Sequence, residues 1–192
     1  MSHSGARIPK RATYTDLETL PDHLVGEILD GDLYASPRPR LRHAVAGTHL
    51  AGELAPPFSI GRGGPGGWWI LGEPELHLAE DVVVPDLAGW RRERLPVVPD
   101  EPFLGLAPDW ICEILSPSIE RIDRGLKLRT YAREHVAHVW LLNPSTETLE
   151  VLKVQGEQWL VVTVYTGGVR VRAEPFEAIE LDLAGLWGSP PS

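Results

Sequence analysis

The sequence predicts a single α/β domain, with a central mixed sheet, helices packed on it and a C-terminal antiparallel hairpin extending one side. Three observations carry this expectation. Between Asp109 and Leu142 an apolar strand-like run, DWICEIL, is followed by helix formers from about 119 to 134 and then by VWLL. Strand, helix and strand in that length read as a crossover with parallel pairing. TLEVLKVQ and QWLVVTVY alternate apolar and polar residues on either side of Gly156-Glu157, the pattern of a hairpin. The 192 residues, 43% hydrophobic and 23% charged, suit one hydrophobic core.

In chain order, residues 1–12 read as a polar arm and 13–187 as the domain. Thr15-Asp16-Leu17-Glu18 and the leucines after it predict a short helix stopped near Pro21. VGEILDGDLYASP predicts two strands around Asp30-Gly31, a dipeptide suited to a tight turn. From Arg40 to Leu54, the spacing of Gly47, Leu50 and Leu54 predicts a helix ending at Pro56-Pro57. GRGGPGG, residues 61–67, leads into a strand-like WWIL with no helix start, so it reads as a loop rather than a phosphate cradle. WWILGEPELHL and DVVVPDLAGW predict two strands, the second rich in β-branched residues. Ser118 is the expected N-cap of the crossover helix. A short strand and a helical turn around Leu181–Leu186 close the chain.

Acidic residues outnumber basic ones 27 to 18, a net charge of −9, which argues against general adhesion to polyanions and leaves room for a local basic cleft. With Cys112 as the single cysteine, an intrachain disulfide and a multi-thiolate zinc site are excluded. MSHSGARIPKR lacks the apolar core of a signal peptide, and no run approaches the ~20 apolar residues of a membrane span; a cytoplasmic protein is expected.

Ionisable residues inside apolar strands point to chemistry, because a buried carboxylate needs a partner. Asp86 follows VVVP, and Glu113 lies inside WICEIL. On neighbouring strands about 4.8 Å apart, the two could converge on one ion, and oxygen ligands suit Mg2+ or Mn2+. Asp123, Lys127 and Tyr131 stand four residues apart and share a helix face. Two readings stand for them: a face turned to the sheet, with the ammonium orienting or deprotonating a water and stabilising phosphate charge, or an exposed ion pair contributing about 0.3–0.5 kcal/mol. Lysine is scarce, at positions 10, 127 and 153, so each setting counts.

VVVPDLAGW, DWICEILSPS, RIDRGLKLRTYA and HVWLLNP resemble the Uma-two family of restriction-endonuclease-like bacterial proteins, in the PD-(D/E)xK nuclease superfamily. The resemblance spans roughly residues 13–180 and is most specific from Asp109 to Pro144. It implies a restriction-endonuclease-like mixed sheet flanked by helices. It also implies metal-dependent hydrolysis of DNA phosphodiester bonds, leaving a 5′-phosphate and a 3′-hydroxyl. Asp86 takes the place of the PD aspartate and Glu113 of the (D/E) acid, both holding the metal. Leu115 stands where the motif has lysine; the resemblance moves that role to Lys127 and adds Glu27 as an acid completing the site.

Competing readings stay open for several residues. Glu27 also reads as a solvated strand residue, and Glu75 is a rival acid. His43 reads as either a hydrogen-bonded structural residue or a DNA contact, and Arg38, Arg40 and Arg42 as phosphate contacts or a solvated loop. His135 and His138 read as structural or surface residues, Cys112 as buried packing and the seven tryptophans as core or interface anchors. The alternative to a nuclease is a non-catalytic binding or assembly module on the same fold. A sugar hydrolase ranks below both, for want of a saccharide platform. Trp159 and the alternating valines of the hairpin suggest a homodimer surface.

Overall fold

A computed structural model describes residues 11–38, 40–117 and 119–188. The expected mixed sheet is six-stranded, in the order β10-β9-β8-β7-β6-β3, made of β3 (Trp68–Gly72), β6 (Leu87–Arg91), β7 (Trp110–Ile114), β8 (His138–Asn143), β9 (Thr148–Gln155) and β10 (Gln158–Thr166). Only β7 and β8 run parallel, with Cys112 opposite Trp140 and Glu113 opposite Leu141. The crossover between them is helical, as the strand–helix–strand pattern requires, and β9 and β10 form the expected hairpin at one edge.

The alternation in β7 sorts the two faces. Trp110, Cys112 and Ile114 enter one core with Ala46, Leu50 and Leu54 of α2 (Leu41–Leu54) and the C-terminal Leu181, Leu183 and Leu186. Ile111 and Leu115 enter the other core with Tyr131, Val136, Leu29 and Val83. Five tryptophans, Trp68, Trp90, Trp110, Trp140 and Trp187, are buried in these cores and Cys112 is fully enclosed, as their structural reading expects.

The two long strands expected between Trp68 and Trp90 are each broken. WWILGEPELHL becomes β3 and β4 (Leu76–Leu78), and DVVVPDLAGW becomes β5 (Asp81–Val83) and β6. β4 and β5 join β1 (Leu24–Leu29) and β2 (Asp32–Pro37) in a second sheet of order β2-β1-β5-β4. The breaks fall at Pro74 and Pro85, which have no N–H for a ladder, and Glu73 turns the chain with φ 48°. The segment 84–86 is thus a passage from one sheet to the other.

Two helices also depart from expectation. The first continues past Leu54 as a π-helical turn, Ala55–Ile60, that absorbs both prolines before Gly61 ends it at φ 77°. Pro56 and Pro57 lack the N–H groups of an α-turn, and the chain widens instead of stopping. The crossover helix is α3 (Glu120–Ile122), a π-helical turn over Asp123–Lys127, and α4 (Leu128–Arg133). Its expected cap, Ser118, lies outside the described residues, as does the arm from 1 to 10. The last two arm residues are tied down: Ala12 donates its N–H to the Gly31 carbonyl at 2.8 Å, and Arg11 pairs with Glu80. The short helix α1 (Tyr14–Glu18), the Asp30-Gly31 turn and the 61–67 loop lie where the sequence predicts them. Among the described residues no helix is long and apolar enough to cross a membrane.

Candidate active site

The passage between the sheets leaves backbone groups outside both ladders, and charged side chains take them. Glu27, on β1, accepts the Val84 N–H at 2.8 Å, and the Lys127 ammonium lies 3.5 Å from the Val84 carbonyl. Asp86 lies one residue before β6, and because Leu87 pairs with Cys112, continuing the register sets it beside Glu113. Its Oδ2 accepts the Ile114 N–H at 2.6 Å, while its Oδ1 lies 2.6 Å from Nε2 of His43 on α2. The strand switch therefore creates the site: one proline-broken passage draws acids from β1 and β6 toward the helix after β7.

Lys127 is the centre of this cluster. Its Nζ lies 2.8 Å from Glu113 Oε1, 3.0 Å from Glu27 Oε1 and 3.6 Å from Asp123 Oδ1. Tyr131 donates its hydroxyl to the same Glu113 oxygen at 2.5 Å. The sheet-facing reading of the 123/127/131 stripe is the one realised, and the exposed-pair reading fails: Lys127 is 3% exposed and Asp123 1%. The π-helical turn carries both residues, a backbone variant found often at functional sites.

Burial and crowding govern the charges. Desolvation pushes the Glu113 carboxyl well above the usual carboxylate range, Lys127 opposing and Asp123, Asp86 and Glu27 reinforcing it. Asp123 is pushed up to about 6, first by burial, with Lys127 pulling it down. Burial alone would discharge Lys127, but Glu113, Glu27, Tyr131 and Asp123 together hold it protonated well beyond an ordinary lysine. Tyr131 is raised by its own burial and by Glu113, so it remains a neutral donor.

Glu27, Asp86, Glu113 and Lys127 form the floor of a cavity of about 380 Å³. Val25, Pro37, Val84, Pro117 and Ile119 supply apolar wall, and Arg38, Arg40 and His43 also line it. Arg38 gives two of its nitrogens to the Asp22 carbonyl, at 3.1 and 3.3 Å. Arg42 is exposed on α2 and is not among the lining residues, so the expected arginine trio is divided. Glu75 is also elsewhere: it accepts from Tyr14 and pairs with His77, while Glu73 lines the cavity instead. His43 is nearly buried, bonded to Asp86 as its structural reading expects, and it also lines the cavity. His138 pairs with Glu174, as a structural histidine should.

Metal fit can be judged from the donors. Three carboxylates, Glu27, Glu113 and Asp123, surround one ammonium, Asp86 stands beside Glu113, and Asp123 Oδ2 is buried without a hydrogen-bond partner. That surplus of hard negative oxygen suits a divalent cation. Among the described residues, no group of three or more His, Cys, Asp or Glu converges as a complete protein-only metal cage. Mg2+ does not require one, since it commonly takes one or two carboxylates and completes its shell with water and substrate oxygens.

The family model described as "Uma2: Putative restriction endonuclease" matches residues 12–184. The chain belongs to this family. The Uma2 fold recurs in the crystal structure of a protein from Anabaena variabilis described as a putative nuclease, with a TM-score of 0.74 and 19% identity over 92% of this chain and 98% of that one. The curated proteins include no match to this Uma2 chain. Sequence reasoning singled out Asp86, Glu113, Lys127 and Glu27, and all four line the cavity. It left Asp123 and Tyr131 out of the site because the i,i+4 pattern looks the same on a wet face and a buried one.

Proposed function

We propose that the chain is a metal-dependent endonuclease that hydrolyses DNA phosphodiester bonds. The observation that carries this reading is Lys127 at the cavity floor, between Glu113 and Glu27 and near Asp86, in a chain whose family is described as "Putative restriction endonuclease". Asp86 and Glu113 would hold Mg2+ or Mn2+; the ion, when bound, supplies a Lewis acid and eases ionisation of water. Lys127, kept protonated by its acids, serves as a fixed positive charge where charge grows on the phosphate, and not as a base. Glu27 positions that ammonium through the shared Val84 contacts. In the hydrolysis, water oxygen bonds to phosphorus, the bond to the 3′ oxygen breaks, and the leaving oxygen gains a proton. The test is nicking of supercoiled plasmid in millimolar Mg2+ or Mn2+, expected to stop with EDTA and with Asp86→Ala or Lys127→Ala. Nicking that persists in a purified, folded Asp86→Ala variant overturns the assignment.

A second reading, a non-catalytic binding module, has support of its own. Both Asp86 oxygens already have protein partners, and Lys127 meets three acids, so these groups are committed to one another within the protein. It predicts DNA or protein association that needs no metal and survives both substitutions. The homodimer belongs to the proposal as well: Leu160, Val161 and Val164 are exposed on the edge strand β10, and light scattering measures the mass in solution.

A further inference from the structure

The groups proposed to act on the phosphate lie below the surface. Lys127 and Glu113 are 3% and 2% exposed, and the side chains of Glu27 and Asp86 only 12% and 16%. A phosphate lying across the outside of the protein does not reach them; it must enter the recess. The cavity, about 380 Å³, is near the lower end of the roughly 300–1,000 Å³ typical of sites that enclose one small ligand. Its composition is two-sided, with acids and one ammonium at the floor and Val25, Pro37, Val84, Pro117 and Ile119 as apolar wall. That arrangement matches one nucleotide, with its phosphate down and its sugar and base against the wall.

The charge around the mouth points the same way. Arg38 and Arg40 are the arginines lining the cavity, Arg38 is partly engaged with the Asp22 carbonyl, and Glu73 shares the lining. Duplex binding generally neutralises a row of phosphates along the backbone, and a net charge of −9 works against it. A duplex is also stiff, with a persistence length of about 150 bp, and it yields one nucleotide to a pocket only by unpairing and unstacking it. An unpaired strand bends into the recess without first breaking base pairs.

We infer that the cavity admits one nucleotide of an unpaired DNA strand, so that the substrate of this site is single-stranded or locally opened DNA and not an intact duplex. The inference rests on the nuclease reading and is separable from it, because occupancy of the recess can be measured without cleavage.

The test uses a fluorescein-labelled oligonucleotide, alone or annealed into a blunt duplex. Anisotropy is recorded in Ca2+, and cleavage in Mn2+. The single strand is expected to bind at least tenfold more tightly and to be cut at least tenfold faster. Its log affinity should fall with log salt at a slope of about −1 to −2, as two phosphate contacts at roughly −0.7 each require. Ile119→Trp and Val25→Phe, which fill the recess from two different walls, should each weaken single-strand binding at least fivefold, with circular dichroism confirming the fold. Tight single-strand binding without cleavage supports the recess and counts against the nuclease. Equal or preferred binding and cutting of the duplex, or a salt slope steeper than about −4, overturns the inference and leaves the nuclease standing. Unchanged binding by two folded, cavity-filled variants also overturns it. Neither binding nor cleavage of either DNA overturns both.

Discussion

Two buried acid clusters lie along the same crossover helix, and they are built to opposite rules. At one, Asp81 accepts the Asp30 N–H at 2.9 Å on one oxygen, and the Thr130 hydroxyl at 2.7 Å and Arg133 at 2.9 Å on the other. One carboxylate meets three donors, and it ties β5 to the β1–β2 turn and to α4. At the other, Glu27, Glu113 and Asp123 share the ammonium of Lys127, Asp86 is held by His43 and the Ile114 N–H, and one Asp123 oxygen has no hydrogen-bond partner. Burial of charge is tolerated in both, but only the first is balanced. On the proposed reading, the surplus acid at the second is what a divalent cation would balance.

Substitutions break this contrast in order of size. Asp81→Ala removes the acceptor from three donors and should cost about 3–4 kcal/mol in urea unfolding at pH 7, while the nicking rate of the folded fraction stays at the wild-type level. Asp86→Asn should do the reverse. Nicking falls at least about 100-fold, equivalent to ~2.7 kcal/mol of barrier, with little change in the unfolding midpoint. A comparable loss of stability in both variants would erase the distinction between the clusters.

Asp123→Asn sharpens it through pH. The Asp123 carboxyl rises from an ordinary value near 3.8 to about 6 in the folded chain, so the folded state holds the proton more tightly than the unfolded one. Stability attributable to this group is therefore present below about pH 4, is lost as pH rises through about 6, and the deficit is complete above that. The asparagine variant, without metal, should gain about 1–3 kcal/mol at pH 8 and nothing near pH 4. A gain that does not change with pH would show that the acid carries no such strain. The smallest effect is metal stabilisation: Mn2+ at about ten times its dissociation constant should add ~1.4 kcal/mol, or about 3–6 °C in melting temperature. It should do so in the Asp81→Ala variant and not in Asp86→Asn.

Much of the site was legible because each residue broke a local rule. Glu113 interrupts five apolar residues, Asp86 ends a β-branched run, and Lys127 is one of three lysines in the chain. Glu27 was less so, since an acid beside a hairpin turn looks the same whether solvated or accepting the Val84 N–H from 57 residues away. Arg38 and Arg42 looked equivalent to Arg40, but one reaches back to Asp22 and the other is exposed on α2 and does not line the cavity.

The order of elements from Trp110 to Thr166, the parallel crossover, the edge hairpin and the face shared by Asp123, Lys127 and Tyr131 follow from the sequence by itself, because periodicity is a local property of the chain. Only the tertiary structure decided that the strands around Pro74 and Pro85 divide between two sheets, and that the face of Lys127 closes on three acids and not on water. Periodicity specifies which residues point the same way; which element comes to cover them depends on pairings dozens of residues apart, and those settle only when the two sheets pack.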